Sequence, residues 1–193
     1  MKTEDKRITR SKKALKMAFI NLLKTNSFKD ISINDISLEA GYAKSTFYRQ
    51  YRDKYEFVDS IMEDEIASMK NIMDEFISSH NSKEQWTREI IQEYREFRFN
   101  YVYREKDLYK ALFTYDCFKA FPHMLSNMIY NHQIKQFPLP NAPTIGNKDF
   151  MEFIFSYIFV DIISYWIKTD FQYSSHIIAE LFLNISLVGD DNE

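Results

Sequence analysis

Residues 32–54 have the sequence SINDISLEAGYAKSTFYRQYRDK, which predicts two short helices joined by a tight turn. Ser32 can cap the first helix, and Asp35 stands three residues later, as in a capping box. Gly41 can end this helix, because glycine adopts the left-handed backbone conformation at little cost. The second helix is predicted over residues 44–51. This order of elements is that of a helix-turn-helix unit.

The second of these helices has a face suited to nucleic acid. Phe47 and Tyr51 lie one turn apart and can pack against the preceding helices. None of the eight residues is acidic, and the positions left for the surface are Lys44, Ser45, Thr46, Tyr48, Arg49 and Gln50. In a helix-turn-helix the second helix enters the major groove, where such side chains contact phosphates and base edges. We therefore expect a transcriptional regulator that binds double-stranded DNA.

A further phosphate contact is expected at the start of the next helix. Asp53 and Glu56 repeat the capping pattern, so a long helix is predicted from here to about residue 78. Lys54 lies in its first turn, where free backbone N–H groups and the helix dipole favour a phosphate.

The rest of the chain is predicted to be helical, because it has few residues that form tight turns. Only three glycines and four prolines occur, and three of the prolines fall in the loop-like tract 138–146. Leu15, Phe19 and Leu22 follow the stripe of an amphipathic helix over about 9–25. Later helices are expected near 84–104, 107–114, 118–135, 148–168 and 173–187. The expected fold class is all-α.

Charge is divided unevenly along the chain, whose net charge is −3. Residues 1–56 contain 13 Lys+Arg against 7 Asp+Glu, a net charge of +6, and residues 57–193 carry the remaining −9. A basic end on an acidic body is typical of a protein that meets phosphate at one end only. We expect a DNA-binding domain of three helices over 1–56 and a larger helical domain over 57–193.

Compartment and membrane association follow from composition. The single cysteine, Cys117, excludes an intrachain disulfide, and the charged N-terminus lacks an apolar signal core, so we expect a cytoplasmic protein. The apolar run 150–167 is long enough to span a membrane, but Glu152 and Asp161 interrupt it. We expect this helix to be buried between subunits instead.

The N-terminal third resembles the DNA-binding head of the TetR/AcrR family over about residues 9–60. The resemblance is carried by the runs 14–23 (ALKMAFINLL), 28–36 (FKDISINDI), 40–41 (AG) and 45–54 (STFYRQYRDK). It implies phosphate contacts from Thr46, Tyr48 and Lys54, base or groove-edge contacts from Tyr42, Lys44 and Ser45, and positions near the DNA backbone for Arg49 and Gln50.

This sequence departs from the family pattern at two positions and resembles it more loosely towards the C-terminus. Ala43 stands where many members have a capping Ser or Asn, a loss of about 1 kcal/mol. Gln50 stands where His is frequent, which can alter a phosphate contact. Residues 165–175 (YWIKTDFQYSS) are similar to a branch that includes regulators of dihydroxyacetone kinases.

The resemblance also implies a homodimer and an effector pocket, so residues 57–193 are expected to form a helical effector-binding and dimerisation domain. Members pair through a four-helix bundle, whose candidate residues here are Phe153, Tyr157, Trp166, Ile178, Leu181, Phe182 and Ile185. A dimer would read a palindromic operator, because two symmetric half-sites supply the specificity that one short helix lacks. The candidate pocket residues are Tyr94, Phe97, Arg98, Tyr101, Phe113, Tyr115, Cys117, Phe121, His123, Met124 and Met128. These aromatics and methionines suit a largely apolar ligand.

Three functions follow from these observations. The first is a repressor released by a small, largely apolar effector. The second is a regulator of the activator type, controlled by a protein that docks on the acidic domain. The third is an enzyme, but the sequence has no nucleophile–base pair and no phosphate-binding loop that would favour it. His123 and His132 do not stand at a metal-ligand spacing from Asp116 or Cys117. We expect no metal, no cofactor and no catalytic residue.

Overall fold

A computed structural model describes residues 2–80, 87–136 and 148–187, and it confirms the predicted all-α fold. Within these ranges the chain forms α-helices and one short 3-10 turn at Asp116–Phe118, with no strand. The helices are α1 (Lys2–Leu23), α2 (Ile33–Glu39), α3 (Lys44–Tyr48), α4 (Lys54–Ser79), α5 (Arg88–Arg104), α6 (Lys106–Thr114), α7 (Phe121–Gln136), α8 (Lys148–Lys168) and α9 (Ser175–Leu187).

The chain divides into two compact units. The first, here called the head, comprises Met1–Asp64 and Thr114–Lys119, and the second, here called the body, comprises Glu65–Phe113 and Ala120–Glu193. The division therefore falls inside the continuous helix α4, beyond the predicted domain boundary after residue 56. Phe57 accounts for this position, because it lies in α4 yet packs against the Phe19 ring of α1 at 5.5 Å.

The head has an aromatic core. Helix α1 packs on α2, and α2 packs on α3. The rings of Phe47 and Phe57 lie 5.2 Å apart, and Phe118 returns from the 3-10 turn to within 6.1 Å of Phe19. The predicted anchors of the second helix are confirmed, because Phe47 and Tyr51 are 0% and 6% exposed.

The helices occur where they were predicted, but several begin or end at other residues. Helix α1 begins at Lys2, earlier than predicted, and α3 ends at Tyr48, one turn short of Tyr51. The predicted helix over 84–104 is observed from Arg88. The loop-like tract predicted over 138–146 lies outside the described residues, as do residues 81–86 at the predicted break.

In the body, α9 packs chiefly on α5, and α8 packs on both α7 and α9. Phe99 of α5 lies at the centre of this packing, within 4.8 to 6.1 Å of the rings of Phe159, Trp166 and Phe182. The turn after α8 is fixed by a hydrogen bond of 2.9 Å that the Trp166 indole N–H donates to the Tyr173 carbonyl.

This packing corrects part of the predicted dimer interface. Trp166, Ile178 and Phe182 are at most 2% exposed and form the chain's own core, so a second copy cannot reach them. The reason is that α8 and α9 are apolar on more than one side, and α5 covers one of those sides. Of the other candidates, Phe153, Leu181 and Ile185 are 42% to 50% exposed, and Tyr157 is partly exposed.

Helix α8 contains the apolar segment Phe150–Lys168, which is the one candidate membrane span among the described residues. Glu152, within that segment, is 1% exposed, and Phe159 and Ile163 are fully buried inside the body. A core helix of a folded domain meets the same criteria of length and composition, so this segment is weak evidence for a membrane protein.

Candidate nucleic-acid interface

The helix-turn-helix begins with the capping box that the sequence predicts at Ser32 and Asp35. The Asp35 backbone N–H donates to the Ser32 hydroxyl at 3.2 Å, and the Ser32 backbone N–H donates to the Asp35 carboxylate at 2.8 Å. The hydrogen bond from the Ser32 hydroxyl is the largest cause that lowers the pKa of Asp35. The start of α2 is thus fixed by residues of its own sequence.

The turn that follows requires Gly41 for its backbone conformation. Gly41 has φ +71°, a region that other residues rarely adopt, although a Cβ atom there would meet no heavy atom within 4 Å. The sequence prediction of a left-handed residue at this position is confirmed.

Helix α3 is the recognition helix of the unit, and it starts without a side-chain cap. Ala43 has the extended conformation of an N-cap residue but makes no capping hydrogen bond from its side chain. The Thr46 backbone N–H instead donates to the Ala43 carbonyl at 2.8 Å. Burial of Phe47 against the head core holds the helix in place, so packing replaces the missing cap.

Most of the predicted DNA contacts lie on the surface of the head. Lys44, Ser45, Tyr48 and Arg49 are exposed, and Tyr48 is 54% exposed. Tyr42 and Thr46 are partly exposed beside them. These six side chains contribute two positive charges and no negative charge, which suits a surface that meets phosphate.

Gln50 is part of the internal structure of the head. Its side-chain amide donates to the Ser11 hydroxyl of α1 at 3.0 Å and to the Thr46 carbonyl at 3.1 Å. It therefore fixes the recognition helix to α1, a role that the sequence pattern does not show because the two residues are 39 positions apart.

Lys54 also has an internal role. Its ammonium donates to the carbonyls of Phe28 and Ile31, each at 2.6 Å, and lies 4.4 Å from the centroid of the Phe28 ring. It holds the segment between α1 and α2 against the start of α4. A phosphate contact by Lys54 stays a prediction, and any such contact would compete with these hydrogen bonds.

The first turn of α4 is closed by side chains. The Asp53 carboxylate accepts hydrogen bonds from the backbone N–H groups of Tyr55 and Glu56 at 2.8 and 2.9 Å. The Glu56 carboxylate in turn accepts from the Arg52 backbone N–H at 2.7 Å. Two of the backbone N–H groups that could bind a phosphate here, those of Tyr55 and Glu56, are therefore already engaged by Asp53.

An open depression of about 500 Å³ adjoins the C-terminal end of the recognition helix. Lys12 and Arg52 line it together with four carboxylates, Asp53, Glu56, Asp59 and Glu63. A surface with more negative than positive charges repels phosphate, so this depression is not expected to belong to the DNA-binding surface.

The predicted effector residues fall into several groups. Tyr94 and Phe97 contact the Phe76 ring at 5.2 and 5.4 Å, and Phe113 and Phe121 lie 6.0 Å apart. Arg98 is buried beside Tyr94. Tyr101 is partly buried and Met124 and Met128 are partly exposed, whereas Tyr115 and Cys117 belong to the head.

His123 is exposed, and its Nδ1 lies 3.2 Å from the Tyr157 hydroxyl, so it contacts a residue predicted for the dimer interface.

The buried face of α5 contains a residue that the sequence analysis missed. This face comprises Tyr94, Arg95, Arg98, Phe99 and Val102, at the spacing of an amphipathic stripe. Arg95 therefore occupies a core position, where an arginine is unusual. An arginine in the apolar stripe of the predicted helix was the available signal.

Cys117 does not have the environment of a catalytic nucleophile. Burial raises the pKa of its thiol to about 11, so the thiol is protonated at neutral pH. In the described part of the chain, no group of three or more His, Cys, Asp or Glu residues is placed to hold a metal ion.

Comparison of the sequence with protein families gives one match. Residues 89–187, just over half of the chain, match the family model TetR_C_8, described as "Transcriptional regulator C-terminal region". No curated protein matches the sequence.

Solved structures share the fold over nearly the whole chain. A TetR transcriptional regulator from Streptococcus agalactiae superimposes with a TM-score of 0.61 at 19% identity, covering 95% of this chain and 97% of that one. The dihydroxyacetone kinase operon activator DhaS gives a TM-score of 0.60 at 19% identity, with coverage of 92% and 94%. FadR from Bacillus subtilis, a transcriptional regulator in complex with stearoyl-CoA, gives 0.64 at 12% identity, with coverage of 91% and 97%.

Proposed function

Because this chain belongs to the TetR family of transcriptional regulators, we propose that it represses transcription as a homodimer on a palindromic operator and that a small, largely apolar effector releases it. The chain is a regulator and not an enzyme. The observation that supports DNA binding is the exposed face of α3, which has no acidic residue. Helix α3 follows the capped helix α2, as in a helix-turn-helix.

The roles proposed for the DNA-contacting residues are those that the family resemblance implies, and the exposure of these side chains on the head supports them. Tyr48 and Thr46 contact phosphates, and Lys44, Ser45 and Tyr42 contact base or groove edges. Arg49 lies near the DNA backbone. Gln50 and Lys54 act mainly by holding the recognition helix and the start of α4 in place, as their hydrogen bonds indicate.

Dimerisation is supported by the outward faces of α8 and α9. Apolar side chains on these faces are 42% to 59% exposed, namely Phe150, Phe153, Leu181, Ile185 and Ile177. Ile177, Leu181 and Ile185 are four residues apart and so share one face of α9. Exposed apolar side chains that share a face are typical of an interface. A two-fold axis beside α8 and α9 would cover it and present two recognition helices to the DNA.

The effector part is supported by the composition of the body and by relatives. The predicted pocket residues of the body are mostly aromatic or sulfur-containing, and Tyr94 and Phe121 are fully buried. FadR from Bacillus subtilis, which has the same fold, binds stearoyl-CoA, a molecule with a long apolar chain. We propose that the ligand of this chain is likewise largely apolar, and that the regulator acts in the cytoplasm.

Fluorescence anisotropy with a labelled duplex from the chain's own upstream region tests the DNA-binding proposal. We expect affinity to fall as salt rises, because phosphate contacts release counterions. Tyr48→Ala should weaken binding by about tenfold, since it removes a phosphate contact in each half-site. Tyr55→Ala, an exposed tyrosine of the head outside the proposed contacts, is the matched control. No binding at low salt, or equal affinities of Tyr48→Ala and wild type, would contradict the proposal.

A second proposal is that this chain is a transcriptional activator and that a partner protein controls it. The fold similarity to DhaS, an operon activator, favours it. The acidic residues 57–193 would provide the docking surface. Transcription in vitro distinguishes the two: a repressor lowers transcript yield from its own promoter and an activator raises it.

A further inference from the structure

Helix α5 places two arginine side chains inside the body. Arg98 is 1% exposed and Arg95 is 6% exposed. The Arg98 Cζ atom lies 4.4 Å from the centroid of the Tyr94 ring and 4.5 Å from that of Phe159. The Arg95 Cζ atom lies 4.7 Å from the centroid of the Phe182 ring. The Arg98 guanidinium is thus in contact with two aromatic rings and that of Arg95 with one, and both side chains are buried away from water.

The hydrogen-bonding capacity of these groups is not filled by the described residues. Nε and Nη1 of Arg98 and Nη1 of Arg95 are buried and have no hydrogen-bond partner there. In folded proteins about nine in ten buried polar groups have a partner, and charged groups lose more free energy than neutral ones when they lack it. Three such atoms on neighbouring turns of one helix therefore require an explanation.

The buried charges around Arg98 do not balance. Glu152 of α8, 1% exposed, is the carboxylate that acts on Arg98, and Arg98 in turn repels Arg95. Burial lowers the pKa of both arginines, that of Arg95 to about 9, where it remains charged at neutral pH. Among the described residues, two buried cations thus face one buried anion, which leaves an excess of positive charge in this part of the structure.

We propose that Arg98 binds an anionic group of the effector, with Arg95 adding to the positive potential. The ligand class is a small apolar molecule that carries one carboxylate, because a planar guanidinium binds a carboxylate through two parallel hydrogen bonds. The rings of Tyr94 and Phe159 contact its apolar part. This inference rests on one element of the proposed function, namely that the body binds the effector.

Arg98→Met separates this role from a structural one. Methionine has a similar length without the charge. If Arg98 serves the ligand, the ligand-free variant keeps or raises the melting temperature, because an apolar side chain removes the cost of burying an unbalanced cation. If Arg98 instead stabilises the buried Glu152 carboxylate as a structural pair, the variant removes that stabilisation, and the melting temperature falls.

The experiment measures binding of two carboxylates and their neutral counterparts to the full chain by isothermal titration calorimetry at pH 7. The pairs are dodecanoate with 1-dodecanol and 2-naphthoate with 2-naphthol, which cover a chain and a ring. We expect at least one carboxylate to bind about tenfold or more tightly than its alcohol, as charge-assisted hydrogen bonds imply. Arg98→Met should abolish that preference, and Arg88→Met, an exposed arginine of α5, should retain it.

Three results would overturn the proposal: neither carboxylate binds, acid and alcohol bind equally, or Arg98→Met keeps the preference. A fall in the melting temperature of ligand-free Arg98→Met would also count against it. DNA affinity of the same preparations is measured in parallel. A chain that binds DNA but shows no acid preference contradicts this inference alone, whereas a chain that binds carboxylate but no DNA contradicts the proposed function alone.

Discussion

The head and the body differ in the polar side chains that their cores contain. Among the described residues, the buried polar side chains of the head are the small hydroxyls of Ser11 and Ser37. In the same part of the chain, the buried acidic and basic side chains all belong to the body, namely Glu65, Arg95, Arg98, His132 and Glu152. The head thus combines an apolar core with a polar, exposed recognition helix, whereas the body has charge inside.

This difference indicates two kinds of function. A rigid apolar core suits a surface that must present side chains to DNA in a fixed geometry. Buried charge costs stability unless it is balanced, so its presence in a core indicates a function for it.

Phe47→Ala should destabilise the head by about 3–5 kcal/mol, because it removes a fully buried ring and leaves a cavity. Denaturant unfolding followed by circular dichroism measures this free energy. Tyr48→Ala, one residue along and 54% exposed, should change stability little while weakening DNA binding. Equal losses of stability in the two variants would contradict the assignment of Phe47 to the core of the head and of Tyr48 to its surface.

Lys54→Met should cost about 1.5–3 kcal/mol, the range for hydrogen bonds that involve a charged group, because the Phe28 and Ile31 carbonyls lose their donor. Lys24→Met, an exposed lysine of the head, is the control and should leave the unfolding free energy unchanged. If Lys54→Met weakens DNA binding at unchanged stability, Lys54 acts on phosphate and not on the fold.

Ala43→Ser should stabilise the head by about 1 kcal/mol, because it adds the missing cap at a residue that already has extended N-cap geometry. Ala43→Val supplies no acceptor and should give no gain. An unchanged unfolding midpoint for Ala43→Ser in urea would mean that packing of Phe47 alone sets the start of α3.

His176→Gln should give the smallest effect, and it should depend on pH. The Glu96 carboxylate, 2.8 Å from His176 Nδ1, raises the pKa of His176 in the folded chain. A raised pKa stabilises the fold below the unfolded value of 6.5, and this stabilisation is lost as pH rises through the folded value. Melting temperatures of wild type and variant should therefore differ at about pH 5.5 and coincide at about pH 8.5. A difference that grows with pH would contradict this sign.

The head could be predicted from its sequence because its signals are local. Ser32 and Asp35 are three residues apart, and Gly41 has the positive φ that its position implies. The internal roles of Gln50 and Lys54 could not be predicted, because their partners lie 23 to 39 residues away along the chain. Only the packed head brings those groups together.

The body was predicted less well, because its helices are apolar on several sides. In α8 and α9 the sequence pattern did not distinguish the side that α5 covers from the exposed side, so Trp166, Ile178 and Phe182 were assigned to an interface. Arg95 was missed because a charged residue is expected to lie on the surface. Its place in the stripe of α5 contained that information.

Hydroxyl-radical footprinting on the upstream duplex shows directly whether the recognition helices of a dimer read a symmetric operator. We predict two protected patches related by two-fold symmetry and centred about one helical turn apart, or a multiple of it. At the same protein concentration, Tyr48→Ala should lose both patches together. A single asymmetric patch, or protection by Tyr48→Ala equal to that of the wild type, would contradict the account.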